Sequence, residues 1–211
     1  HNRWGGRIQP QQTVQEICDW AKQHGLKRHL DGARLWNASV ATGLSPLKLV
    51  EPFDSVSVCF SKGLGAPVGS ALAGDHQFIL EARRCRKLFG GGMRQAGIIA
   101  AGALHALEQH RDRLVEDHNN AQRLREGCES CGPLSIRGNR VDTNIVICEV
   151  DEDWITADKL AATLDEQGVR CFAIGPQAIR FVTHLDVDAA QIESACKIIQ
   201  RITNTSAANL T

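Results

Sequence analysis

The sequence lacks the features that would assign it to several specialised classes of protein. It has no surplus of charge of one sign, because 24 Lys and Arg side chains balance 24 Asp and Glu side chains. This balance argues against a nucleic-acid-binding arm or a polybasic membrane segment, since both need a surplus of one sign. No run of apolar residues approaches the roughly 20 that a membrane-spanning helix needs. With 43% apolar and 23% charged residues, the composition predicts a globular protein, and we expect it in the cytoplasm.

Methionine is nearly absent: Met93 is the single one among 211 residues, and the chain begins at His1. The opening residues, HNRWGGRIQP, do not have the pattern of a helix start. We therefore expect the chain to be the C-terminal portion of a longer protein.

The eight cysteines are spread through predicted helices and strands, which favours buried free thiols in a reducing compartment over a disulfide framework. Cys128 and Cys131 form a C-x-x-C pair, but no second pair of ligands lies at the spacing of a zinc site. We predict no metal site.

Helices and strands alternate over residues 1–110, as in a layered α/β domain, and a smaller α+β domain is predicted over residues 111–211. A capping box at Thr13–Glu16 predicts the start of the first helix. Alternating apolar residues predict strands near 26–31, 55–60 and 68–73. Further along, the patterns predict helical segments at 94–127, 156–167 and 188–203, and strands at 143–150, 169–173 and 179–183.

Lys62 follows one of these strands and precedes a segment rich in glycine, GLGAPVG. The glycines do not have the spacing of a P-loop or of a dinucleotide-binding fingerprint. The arrangement instead holds a lysine amine beside open space, where an amine can attack a carbonyl to form a Schiff base. A solvated surface charge is the alternative.

Asp31 lies at the end of the preceding predicted strand. Pyridoxal phosphate (PLP) enzymes need a lysine for the cofactor aldehyde and a carboxylate that keeps the pyridine nitrogen protonated. Asp31 and Lys62 supply these two groups on successive strand ends. A helix N-cap is the alternative role for Asp31.

Four separated segments carry a family resemblance: HLDGARLWNA, SVSVCFSKGLGAPVGS, RRCRKLFGGGMRQAG and IRFVTHLDV. In this order they resemble the L-threonine aldolases, which are fold-type I PLP enzymes of the β-eliminating lyase group. The resemblance implies a partial three-layer αβα large domain over residues 1–110 and a small domain over 111–211.

The resemblance also implies roles for six residues. Lys62 is the Schiff-base lysine and Asp31 the partner of the pyridine nitrogen. Arg34 and Arg180 bind the substrate carboxylate, since a planar guanidinium suits that bidentate contact. Arg94 reaches the cofactor phosphate region of a neighbouring subunit, and Lys87 lies near it. For Arg180, a charge on an exposed strand face is the alternative.

The implied activity is retro-aldol cleavage of L-threonine or L-allo-threonine to glycine and acetaldehyde by a homo-oligomer, a dimer of dimers. Three features of the family have no counterpart in this sequence: the turn that binds the phosphate, the histidine that stacks on the ring, and a second histidine near the substrate hydroxyl. Two alternatives stay open. The chain is an inactive remnant of such an enzyme, or it acts on another amino acid by β-elimination or racemisation.

Overall fold

The computed structural model describes residues 2–205, which belong to two compact units. One unit is Gln9–Leu114. The other combines the opening segment, up to Ile8, with the chain from Val115 onward. The division at 114 lies close to the one expected after residue 110, but the opening segment belongs to the C-terminal unit instead of the N-terminal one.

The unit of residues 9–114 contains a three-stranded sheet together with helices, and β3 of this sheet is exposed. Its elements are α1 (Gln11–Gln23), β1 (His29–Gly32), α2 (Leu35–Thr42), α3 (Pro46–Val50), β2 (Ser55–Cys59), β3 (Ser70–Gly74), α4 (His76–Leu88) and α5 (Gly97–Gln109). The strand order is β1-β2-β3, with β1 and β2 parallel and β3 antiparallel to β2. Asp31 pairs in register with Ser57, so the ends of β1 and β2 lie at the same edge of the sheet.

The core of this unit is small. Its buried members are Leu64, Ala66, Ala106 and Leu114, with Trp36 and Phe60 among the residues that pack against them. Several large apolar side chains are exposed instead, among them Leu47 (78%), Leu88 (72%), Phe89 (83%) and Ile98 (88%). Exposed apolar surface of this kind is where other protein commonly packs.

The second unit is an antiparallel sheet covered by helices. It contains most of α6 (Leu114–Glu129), followed by β4 (Leu134–Ile136), β5 (Ile145–Val150), α7 (Ala157–Glu166), β6 (Phe172–Gly175), β7 (Ala178–Val182) and α8 (Ala189–Thr203). The strand order is β4-β5-β7-β6. The core is continuous, and its fully buried members include Val146, Leu160, Leu164, Ile179 and Ile199.

Most predicted elements are present, with ends that differ by a few residues. The capping box at Thr13–Glu16 is wrong: α1 begins at Gln11 after Pro10, without a side-chain cap. The fixed φ of proline already suits a helix start, so Thr13 falls inside the first turn. The predicted helical stretch 94–127 is two helices, α5 and α6, and the short α3 and β4 were not predicted.

Four of the eight cysteines, Cys18, Cys128, Cys131 and Cys148, are buried free thiols as expected, whereas Cys85 is exposed. A hydrogen bond with Cys148, together with burial, raises the pKa of Cys128. Within residues 2–205, no group of three or more His, Cys, Asp or Glu side chains could bind a metal ion. No helix in that range is both long and apolar enough to cross a membrane.

Candidate active site

Lys62 lies in the loop that joins β2 to β3, three residues after the end of β2, and it is exposed. Backbone hydrogen bonds close the loop on itself: N of Phe60 donates to O of Gly69 at 3.0 Å, and N of Gly65 donates to O of Lys62 at 2.8 Å. The loop is therefore a compact turn. Its lysine reaches solvent while Leu64 and Ala66 are buried beneath it.

Two side chains from neighbouring helices fix this loop. The ring nitrogen Nδ1 of His110, which follows α5, donates to O of Leu64 at 2.6 Å. Nε1 of Trp36, in α2, donates to O of Cys59 at the end of β2 at 3.0 Å. The backbone on both sides of Lys62 is thus held by hydrogen bonds, which limits the positions that its amine can reach.

Gly63 must lack a side chain for the loop to pack as it does. A Cβ on Gly63 would lie 2.8 Å from Cδ2 of Leu114 and 3.2 Å from Oδ1 of Asn37. Both neighbours are buried: Leu114 is fully inaccessible and Asn37 is 2% exposed. The close approach of the loop backbone to these two residues positions Lys62 over the core of the unit.

Asp31 lies in β1 and is exposed. Its Oδ1 accepts a hydrogen bond from N of Ala33 at 3.2 Å, within the turn that follows the strand. It does not cap α2, because the N-cap residue of that helix is Arg34. The parallel pairing of β1 with β2 places Asp31 and the Lys62 loop at the same edge of the sheet.

Arg34 is half-buried at the start of α2 and interacts with other residues of the chain. It is in the same unit as Lys62 and Asp31.

Lys87 and Arg94 flank the triple-glycine turn between α4 and α5. Nε of Arg86 donates to O of Gly91 at 2.8 Å, which folds the turn back onto the end of α4. Lys87, in the last turn of α4, and Arg94, just before α5, are both exposed. Neither forms an ion pair with another residue in the range 2–205, so this end of the unit presents unneutralised positive charge.

Arg180 belongs to the other unit, on β7, one of the two inner strands of its sheet. Its Nη1 donates to Oδ1 of Asn2 at 3.2 Å, and its Cζ lies 5.8 Å from the ring centroid of Phe172. Its Nε is buried and has no hydrogen-bond partner among residues 2–205. Buried donors are nearly always paired in folded proteins, so an orphaned guanidinium donor here is a position at which an anionic group could bind.

The residues present fit the PLP that the resemblance implies. An exposed lysine amine and an exposed carboxylate lie at one edge of a parallel strand pair, which are the two groups that the cofactor aldehyde and ring nitrogen require. Glycine after the lysine lets the loop pack where a Cβ would collide. The orphaned Nε of Arg180 suits the carboxylate of an amino acid.

Sequence reasoning missed the residues that hold these groups in place. His110, Trp36 and Asn2 make the contacts described above, and each bonds to a residue distant in sequence. No local sequence signal marked them, because each contact joins segments that are distant in the sequence.

Comparisons with known proteins agree on the fold. The chain superposes on a solved structure of Leishmania major threonine aldolase with a TM-score of 0.78 at 18% identity, covering 95% of this chain and 58% of that one. This likeness gives the chain the fold of the fold-type I PLP enzymes, as expected.

Sequence comparisons identify the family. Residues 1–153 match the beta-eliminating lyase family. The chain is 39% identical to the low-specificity L-threonine aldolase 1 of Arabidopsis thaliana over 202 residues, 95% of this chain and 56% of the relative. It is 37% identical to the alanine racemase TOXG of Cochliobolus carbonum over 211 residues, 95% of this chain and 52% of the relative.

The chain therefore belongs to the beta-eliminating lyase family, which confirms the resemblance. It spans about half the length of the curated relatives that it matches.

Proposed function

We propose that this chain is part of a PLP-dependent aldehyde-lyase that cleaves L-threonine or L-allo-threonine to glycine and acetaldehyde. The observation that carries the proposal is the placement of Lys62 on a fixed glycine-rich loop at the same sheet edge as Asp31. The identity with a named threonine aldolase supports the choice of substrate.

Bound PLP would draw electrons from the α-carbon of an amino acid, so that a bond to this carbon can break. Nζ of Lys62 would hold the cofactor through its aldehyde. The carboxylate of Asp31 would keep a proton on the ring nitrogen, because a nearby negative charge favours the protonated form of a base. Arg34 and Arg180 would each offer a guanidinium to the substrate carboxylate. Lys87 and Arg94 would supply positive charge for a cofactor phosphate.

Reductive labelling tests the cofactor site. The protein is incubated with PLP, reduced with borohydride and digested, and the labelled peptide is mapped by mass spectrometry. We expect the pyridoxyl group on Lys62 and none in Lys62→Ala. Lys27→Ala is the matched control, since Lys27 is exposed in the same unit, and it should leave the labelling of Lys62 unchanged. Labels scattered over surface lysines would contradict the assignment.

Product analysis tests the reaction. We expect acetaldehyde and glycine from L-threonine. The release of acetaldehyde is measured by coupling its reduction to the oxidation of NADH. Release of 2-oxobutyrate and ammonia from L-threonine in place of acetaldehyde and glycine would identify β-elimination and contradict the aldolase proposal.

Amino-acid racemisation is the second candidate, favoured by the identity with a relative named as an alanine racemase. Both reactions need Lys62 and Asp31 in the same roles. Incubation with L-alanine and chiral analysis of the product separates the two, because a threonine aldolase should leave L-alanine unchanged.

The proposal includes a cytoplasmic homo-oligomer, a dimer of dimers. Light scattering on the purified protein tests the assembly, and a single-subunit mass would contradict it.

A further inference from the structure

The opening segment, residues 2–8, is attached to the C-terminal unit by specific contacts. Oγ1 of Thr143 donates to O of Gly6 at 2.9 Å, and Nη2 of Arg7 donates to O of Arg137 at 2.8 Å. Gly6 has a φ of +67°, and a Cβ on it would lie 2.2 Å from Oγ1 of Thr143. Glycine alone fits this backbone conformation and this close approach without strain. The segment therefore has one defined course across the unit.

This course places Asn2 beside the guanidinium of Arg180. Oδ1 of Asn2 accepts a hydrogen bond from Nη1, and the ring of Phe172, the register partner of Arg180 on β6, lies near Cζ. The two contacts restrict the guanidinium in different ways: the hydrogen bond fixes one donor, and the ring restricts rotation of the plane.

The contacts leave Nε of the guanidinium buried and without a hydrogen-bond acceptor among the described residues. Nε and Nη2 together form the edge on the side away from Nη1, and this edge is one of the forks that a carboxylate can accept in a bidentate manner. Nη1 has its acceptor in Asn2, whereas Nε has none among the described residues.

We propose that Asn2 is a positioning residue that orients Arg180 so that its Nε–Nη2 edge receives the carboxylate of the substrate. The inference rests on the proposed function, because it takes the substrate to be an amino acid. An asparagine suits this role because its side-chain oxygen is neutral. It directs the guanidinium without neutralising the charge that attracts the carboxylate, whereas an aspartate at this position would compete with the substrate.

The kinetic test compares Asn2→Ala and Asn2→Asp with the unmodified holoenzyme, using L-threonine. Loss of the acceptor in Asn2→Ala should raise KM by about tenfold with little change in kcat, as expected for a hydrogen bond to a charged group. Asn2→Asp should raise KM further, because the new carboxylate pairs with Arg180. Arg3→Gln is the matched control: Arg3 is exposed on the same turn, and its substitution should leave KM unchanged.

A second readout does not depend on activity. Arginine-directed labelling with phenylglyoxal, mapped by mass spectrometry, reports on the guanidinium itself. Arg180 should react faster in Asn2→Ala and more slowly in Asn2→Asp than in the unmodified protein. A folding defect would change the labelling of many arginines in the same direction, whereas the proposal expects opposite changes at one.

Three results would overturn the proposal: equal KM values for the alanine and aspartate variants, a fall in kcat with KM unchanged, or equal labelling of Arg180 in all proteins. If the unmodified holoenzyme does not cleave threonine, the proposed function fails instead. The labelling of Arg180 then still decides whether Asn2 holds it.

Discussion

Gly63→Ala is the substitution that probes the Lys62 loop most directly. The added methyl would lie 2.8 Å from Cδ2 of Leu114 and 3.2 Å from Oδ1 of Asn37, well inside the ordinary contact distance of about 3.5–4.0 Å. Both neighbours are buried and cannot swing into solvent. The strain must therefore be relieved by movement of the loop backbone that carries Lys62.

Overpacking of this kind costs about 1–3 kcal/mol. For a unit of roughly 100 residues, each 1 kcal/mol lowers the melting temperature by about 4–8 °C, so a clear loss is expected in a thermal scan. Reductive labelling of Lys62 with PLP should fall in parallel, measured at a temperature where the variant is folded, because the amine no longer lies where the loop contacts placed it.

Gly97→Ala is the control. Gly97 is the first residue of α5, in the same unit, and no atom lies within 4 Å of the position of its Cβ. Alanine favours a helix over glycine by up to about 1 kcal/mol, so this variant should be as stable as the parent or slightly more so. If Gly63→Ala has the same melting temperature as the parent and Lys62 is labelled with PLP to the same extent in both, the packing argument is refuted.

Two further predictions concern ionisable groups. The guanidinium of Arg28, bonded to Asp54 through Nε at 2.9 Å and Nη2 at 2.7 Å, holds the pKa of Asp54 well below its usual range. This pair should stabilise the fold above pH 4 and lose its effect as acid protonates Asp54. Asp54→Asn should therefore destabilise the protein at pH 7. In urea unfolding, the difference in free energy of unfolding between the parent and the variant should become smaller at lower pH. A difference that is constant with pH would count against a stabilising role for the pair. Burial, followed by the neighbouring Cys128, raises the pKa of Cys171 to about 12 and that of Cys196 to about 11. Iodoacetamide at pH 7, followed by peptide mapping, should therefore modify the exposed Cys85 first; early labelling of Cys196 would contradict this order.

The sequence predicts those parts of the site that depend on local patterns. Lys62 and Asp31 became candidates because they lie after and at the end of predicted strands, and because the family resemblance implies their roles, which stay predictions. The predicted start of α1 was wrong because two local signals for a helix start lie close together, Pro10 and the capping-box pattern at Thr13–Glu16. The helix begins directly after Pro10.

Other parts of the site could not be predicted, because they arise from contacts between distant segments. His110 and Leu64 are 46 residues apart, and Asn2 and Arg180 are 178 apart. No local propensity encodes such pairs. Likewise, nothing in the sequence pattern of residues 2–8 indicates that they contact the unit formed by the C-terminal half of the chain.

The attachment of residues 2–8 to the C-terminal unit has a consequence for the order of folding. Arg7 bonds to a carbonyl 130 residues away, and such non-local contacts form late because the loop they close must lose its entropy first. During synthesis, the contacts of Gly6 and Arg7 cannot form until Thr143 has been made, and the contact of Asn2 cannot form until β7 has been made. After dilution from denaturant, recovery of helical circular dichroism should precede the carboxylate binding that we propose for Arg180.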